Sequence, residues 1–517
     1  MIRYILETVE AMPLKKLNIV IIAIGIVLAA QIQYIQHGWI NPDSVLYLEA
    51  AKLFAKNQWQ AGFAVFAWPF YSILIAAIHN LSSLSVHICA QLLNVIFFGI
   101  ATFSFLKIIR LAGGKNIQLL AGGLVLFCAQ YLMGDVLEML MRDQGFWAFY
   151  LAAISFFIQF YKTNLFKYAA CWQICIILAT LFRIEAITFL FFLPVLLLLS
   201  KDKTLQRNII SFIKCNIIHI CIAAIIIGVL IANPHLSAKM LGRLNEVFNA
   251  NFYDELTKNL LEKSYIMSNK VLGRYLNEFA TQGLILTFIY VIVVKTFSAT
   301  GYVNIGLAWL SFKSKHCKID KEVSAILRMA AAIAILNMGL IITKVFVLSS
   351  RYVVALSFII MIFSAFYLAE LLVHFMKKNP QNKKNNWLLF GVSILMSITF
   401  ISNILPKQQG YNYLQNAVGW VQANNKSKQP VFYDEARARY YANEAFIGSW
   451  PDSWEIVKKE IENRQIDNYE ILIINHSIKH PERELYIIKN LTNFAEVKRF
   501  NNPKSNKFAV VYQKKST

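Results

Sequence analysis

Residues 17–43 read LNIVIIAIGIVLAAQIQYIQHGWINPD. No residue from Leu17 to His37 is charged, and a helix needs about 20 such residues to cross a bilayer. Lys15 and Lys16 stand just before the run, and Gly38-Trp39-Ile40-Asn41-Pro42 ends it with two strong helix breakers. Asp43 then follows at once. The stretch therefore reads as a first membrane span, entered from a basic side and left through a polar turn that carries an acid. A cleaved signal peptide is the alternative for residues 1–30. The number of later spans favours an uncleaved first helix.

The rest of the chain fits that start. Of 517 residues, 57% are hydrophobic and only 15% charged, and mean hydropathy is +0.49. Soluble domains carry roughly 45–50% apolar and 25% charged residues, so this composition excludes a soluble enzyme, a disordered chain and a coiled coil. Apolar runs recur near 88–108, 117–133, 145–161, 215–232, 323–342, 352–375 and 387–404. Residues 169–200 give two short spans broken at Arg183-Ile184-Glu185. Residues 282–311 give one more, with a surface helix at its end. The expected fold is a polytopic α-helical membrane protein of about eleven spans, residues 1–404, with juxtamembrane helices in a first outer loop, 38–87.

The net charge of +22 would suggest nucleic acid in a soluble protein. Here Lys and Arg gather in the short loops near residues 15, 110, 162, 203, 315 and 383, and under the eleven-span count all of these fall on one side. That side is expected to be the cytoplasm, with no nucleic-acid partner. The C-terminal stretch 405–517 then lies outside. It reads as a small α/β domain, with strands at Pro430–Tyr433, Tyr469–Asn475 and Lys507–Tyr512 and helices at Trp454–Asn463 and Arg483–Asn490.

The same topology draws charged residues to the outer face: Asp43, Glu49, Asp135, Glu138, Arg142, Asp143, Arg183, Glu185, Lys344 and Arg351. Charges at membrane depth are costly and mark function by default. Carboxylates beside guanidinium groups suit acid/base work next to an anion such as phosphate. Each has a plainer reading too. Asp43 could cap the helix that follows it. Arg183 and Glu185 could pair to close two short helices. Arg142 and Arg351 could anchor to lipid headgroups. The seven cysteines show no framework and read as small apolar residues. His79 and His87 have no second ligand nearby in the sequence.

Asp43 followed by Tyr47, Ala50 and Ala51, then Trp68-Pro69 and an apolar helix, resembles the first outer loop of GT-C-type membrane glycosyltransferases. Protein O-mannosyltransferases and lipid A aminoarabinose transferases are the branches it is most similar to. Met141-Arg142-Asp143-Gln144-Gly145, Thr180-Leu181-Phe182-Arg183-Ile184-Glu185 and Ser350-Arg351-Tyr352 resemble further patches of that family, in the same order. The Trp68-Pro69 pair departs from the family's His-Pro or Pro-Pro. The resemblance implies an inverting transferase that takes a sugar from a polyprenyl-phosphate carrier to a glycan, lipid or protein acceptor. Asp43 would be the base and Asp143 a second active-site carboxylate. Arg142, Arg183, Glu185, Arg351 and Tyr47 would contact phosphate or sugar. No cofactor is implied; a divalent cation between Asp43 and Asp143 is chemically possible but not expected. A bacterial inner membrane is the expected location, with membrane lipids as neighbours. A flippase or polymerase of lipid-linked saccharides is the alternative. A flippase should show paired broken helices in its two halves, and no convincing pair stands in the sequence.

Overall fold

The computed structural model describes residues 2–35, 40–199, 204–232, 251–314, 316–377, 383–405, 412–444, 453–503 and 505–515. Two compact units emerge. The first comprises 1–31, 92–138 and 142–404; the second comprises 32–91, 139–141 and 405–517. The second unit thus groups residues 32–91 with the C-terminal stretch, although hundreds of residues separate them in the chain.

The first unit is a helical bundle. Among the described residues seven helices are long and apolar enough to cross a membrane, or eight if the bent pair Asn116–Phe127 and Gln130–Val136 counts as one. The protein is an integral membrane protein. The helix Asp143–Thr163 adds a further apolar helix of 21 residues, about 30 Å long. Phe166–Phe182 and 184–198 are the shorter apolar helices, interrupted where Arg183 adopts an extended conformation. Gly301, at φ +85°, separates Ala280–Thr300 from the short helix Tyr302–Lys313. No side chain adopts that backbone angle readily. Ser350–Met376 is the central span, 89% buried across its apolar window, whereas Leu205–Val229 is only 11% buried and faces outward from the bundle.

Polar contacts tie one end of this bundle together. Arg3 donates to the Phe375 and Met376 carbonyls, and Asn116 to those of Val9, Glu10 and Met12. Lys162 pairs with Asp320 at 2.9 Å and also donates to the Leu111 carbonyl. These are the ends rich in Lys and Arg. Asp143 and Tyr352 lie at the opposite ends of the helices that run to Lys162 and Met376.

In the second unit, Asn41 accepts the Ser44 N–H at 3.0 Å and Pro42 takes the first helical position, which start the helix Pro42–Ala55. The cap is therefore Asn41. Asp43 stands one residue inside the first turn, where an acid also favours the helix dipole. Trp59–Val65 and Phe70–Ser82 complete this group, packed around Ala50, Phe54 and Ala76.

The C-terminal stretch is a three-layer α/β fold. Its sheet contains β1 (Val431–Tyr433), β2 (Ile471–Ser477), β3 (Phe494–Asn501) and β4 (Lys507–Lys514) in the order β1-β2-β4-β3. β1 and β2 are parallel; the other pairs are antiparallel. Alternate residues face opposite ways. Leu472, Ile474, Val510 and Tyr512 meet Val457 and Ile487 on one face. Ile471, Ile473, Ala509 and Val511 meet Leu414, Val418 and Ala438 on the other.

Candidate functional site

The expected site residues divide between the units. Asp143, Arg142, Arg183, Glu185 and Arg351 belong to the first; Asp43 and Tyr47 belong to the second.

In the first unit the break after Phe166–Phe182 turns Arg183 inward. Its side chain is only 5% exposed. One terminal nitrogen donates to Asp143, in the first turn of Asp143–Thr163. The other terminal nitrogen and Nε each donate to Glu185 at 3.3 Å, one to each carboxylate oxygen. This forked contact is the geometry a planar guanidinium favours. The guanidinium also lies 4.5 Å from the centre of the Tyr352 ring. Asn337 holds the Glu185 carbonyl at 3.0 Å. Four separate stretches of sequence thus converge: 143, 183–185, 337 and 352. Gly145 is required for the approach, because a Cβ there would sit 2.3 Å from the Phe182 ring. Buried charges need this kind of pairing.

Arg351 lies in the 3₁₀ turn Ser350–Val353, next to Tyr352. Arg142 occupies the position just before the first turn of Asp143–Thr163. An apolar groove of about 560 Å³ runs along the same unit, lined by Ile21, Leu120, Phe127, Leu368, Met396 and Phe400.

In the second unit Asp43 is half-buried. The turn that bears it is held from several sides. Asn41 caps the helix and donates its amide to the Met141 sulfur at 3.4 Å. The N–H of Ile40 donates to the Tyr441 hydroxyl at 3.2 Å. Tyr47 is 3% exposed and packs edge-on against Phe66 and Tyr71, with centroids 5.0 and 5.6 Å away. Its ring is a packing element of the second unit.

A second buried polar cluster lies just beyond the C-terminal end of β1, against Asn475 within β2. Asp434 is 3% exposed and accepts the Asn475 N–H at 2.8 Å. Glu435 pairs with Arg437 and accepts the Asn475 amide at 2.7 Å. Burial, reinforced by Glu435, holds the Asp434 carboxyl well above the usual aspartate range. This knot anchors the short helix Ala436–Ala442. No local pattern announces that residues near 434 and 475 meet. Among the described residues no group of three or more His, Cys, Asp or Glu is placed to hold a metal ion.

No family model and no curated protein matches the sequence. The fold, however, has solved counterparts. ArnT from Cupriavidus metallidurans, in a crystal structure bound to undecaprenyl phosphate, aligns with a TM-score of 0.53 at 11% identity. The match covers 95% of this chain and 97% of that one. The arabinofuranosyltransferase AftD from Mycobacteria aligns with a TM-score of 0.50 at 10% identity, over 98% of this chain and 40% of its own. The likeness is one of fold: the chain has a GT-C-type fold.

Proposed function

We propose that the protein is an inverting glycosyltransferase that moves a sugar from a polyprenyl-phosphate carrier to an acceptor at the outer face of a bacterial inner membrane. The N-terminus would be cytoplasmic and the C-terminal stretch extracytoplasmic. The observation that carries this reading is the fold likeness to ArnT, which spans nearly the whole of both chains and was solved with undecaprenyl phosphate bound.

In this reading Asp43 is the general base. It takes a proton from the acceptor hydroxyl or amine as that atom attacks C1 of the sugar. The C1–oxygen bond breaks, the electron pair stays on the phosphate oxygen, and the carrier leaves as polyprenyl phosphate. A single displacement inverts C1. Arg351 and Arg142 are assigned to the phosphate, since guanidinium matches its geometry. Arg183 already shares its charge with two carboxylates, so it orders the junction, and Asp143 with Glu185 shapes the sugar site around it. The carrier chain would need an apolar groove such as the one lined by Leu120 and Met396. Two carboxylates do not by themselves fix stereochemistry; inversion follows from the single displacement.

The test is transfer from a radiolabelled polyprenyl-phosphate sugar in membranes. General base catalysis contributes roughly 10²–10⁴-fold, so Asp43→Asn should lose at least about 100-fold in kcat while retaining its fold. Near wild-type turnover would remove Asp43 as the base. Label that crosses the membrane with its linkage intact would identify a flippase instead.

A further inference from the structure

We propose that Tyr441 is a positioning residue for Asp43, which makes the Ala436–Ala442 helix a working part of the transfer site. The inference rests on the reading of Asp43 as the base.

The contacts lie within one compact unit. Tyr441 stands near the end of Ala436–Ala442, and its hydroxyl accepts the N–H of Ile40 at 3.2 Å. Ile40 is 1% exposed, so water offers that N–H little alternative. The next residue, Asn41, caps the helix, and Pro42 has no N–H to give. The Ile40–Tyr441 bond is thus one tie that fixes the chain where it enters the Asp43 turn. Tyr440 grips the same region beside it. Its hydroxyl meets His87 Nδ1 at 3.1 Å, and Lys52 lies 5.1 Å over its ring. Lys52 is itself paired at 2.6 Å with Glu49, one helical turn before it on the helix whose first turn holds Asp43.

The gripping helix has rigid support. Ala438, 0% exposed, packs into the sheet core with Ile473 and Val511. The Glu435–Arg437 pair and the Asn475 amide hold its first turn. The geometry therefore connects a folded sheet to the backbone one residue before the cap of the Asp43 helix. A general base works only from a fixed place: a shift of about 1 Å can cost on the order of 100-fold.

The experiment measures steady-state transfer by the full-length protein in detergent or proteoliposomes. Tyr441→Phe keeps the ring and removes the hydroxyl. It should lower kcat about tenfold, equivalent to ~1.4 kcal/mol in the barrier, with KM for the lipid-linked donor unchanged. Hydrogen exchange of the 40–55 segment should rise in the same variant. Tyr440→Phe should show a smaller fall in kcat and serves as the second variant if Tyr441→Phe does not fold. Tyr512→Phe is the control. It removes a buried hydroxyl of the same sheet, bonded to His476 at 3.1 Å, and should leave kcat unchanged. Wild-type kcat in folded Tyr441→Phe, or an equal loss in Tyr512→Phe, overturns the positioning role. A wild-type chain that transfers no sugar at all instead overturns the functional reading beneath it.

Discussion

Arg183 shows how a single residue can decide a junction. Its guanidinium is met by Asp143, by both oxygens of Glu185 and by the face of Tyr352. Removing one partner of a buried ion pair costs about 3–5 kcal/mol, because the remaining charge is stranded. Arg183→Ala would strand two carboxylates, so it should lower the thermal unfolding temperature of the detergent-solubilised protein by that equivalent. Arg183→Lys should rescue little, since an ammonium cannot make the forked contact to Glu185. Equal stability of Arg183→Ala and wild type would show the cluster to be energetically idle. Asp434 offers a test by pH. An ordinary aspartate ionises near 3.9, while burial and Glu435 hold this one well above its usual value. The folded state then keeps a proton that the unfolded chain gives up. The resulting stability is fully present below the unfolded pKa and declines as pH rises toward the folded one. Asp434→Asn cannot ionise, so its advantage in unfolding temperature should widen from pH 4 to pH 8. A constant difference over that range would mean that Asp434 is ionised in the fold. Much of the first cluster was legible in the sequence, because charges in apolar runs stand out. Asn41 as the cap was not, since Asn41 and Asp43 are both good capping residues and only backbone geometry chooses between them.

At the scale of elements, the meeting of the helix Asp143–Thr163 with Phe166–Phe182 sets where that charged junction can form. Gly145 permits it. A methyl group there would lie 2.3 Å from the Phe182 ring, and Phe182 directly precedes Arg183. Overpacking of this kind costs about 1–3 kcal/mol. Gly145→Ala should lower both the unfolding temperature and transfer activity, and a neutral result in either would show that the ring has room to move. The strands and helices with strong apolar periodicity were readable: β1, β2 and β4, and the helices Ser453–Glu462 and Pro481–Asn490. β3 was not. Its sequence FAEVKRFN is charged and mostly exposed along an outer edge of the sheet, so it lacks the alternation that marks a half-buried strand. Such charges also discourage pairing with a foreign strand. The π-helical turn Gln130–Val136 was equally hidden within an apolar run that reads as ordinary helix.

For the whole molecule, composition was enough to give a polytopic helical protein, and the order of weak patches was enough to suggest the GT-C class. The grouping of residues 32–91 with 405–517 could not be read in the same way. The bond between Ile40 and Tyr441 joins residues 401 positions apart, and neither has a local signature for the other. The order β1-β2-β4-β3 carries one more consequence. Its centre is laid down out of chain order, so neither Ile471–Ser477 nor Phe494–Asn501 has its antiparallel neighbour until 507–514 arrive. Until then the platform beneath Tyr441 is unfinished. The grasp on the Asp43 turn thus waits on residues 507–514, which must slot between β2 and β3 after the described bundle helices have already been made.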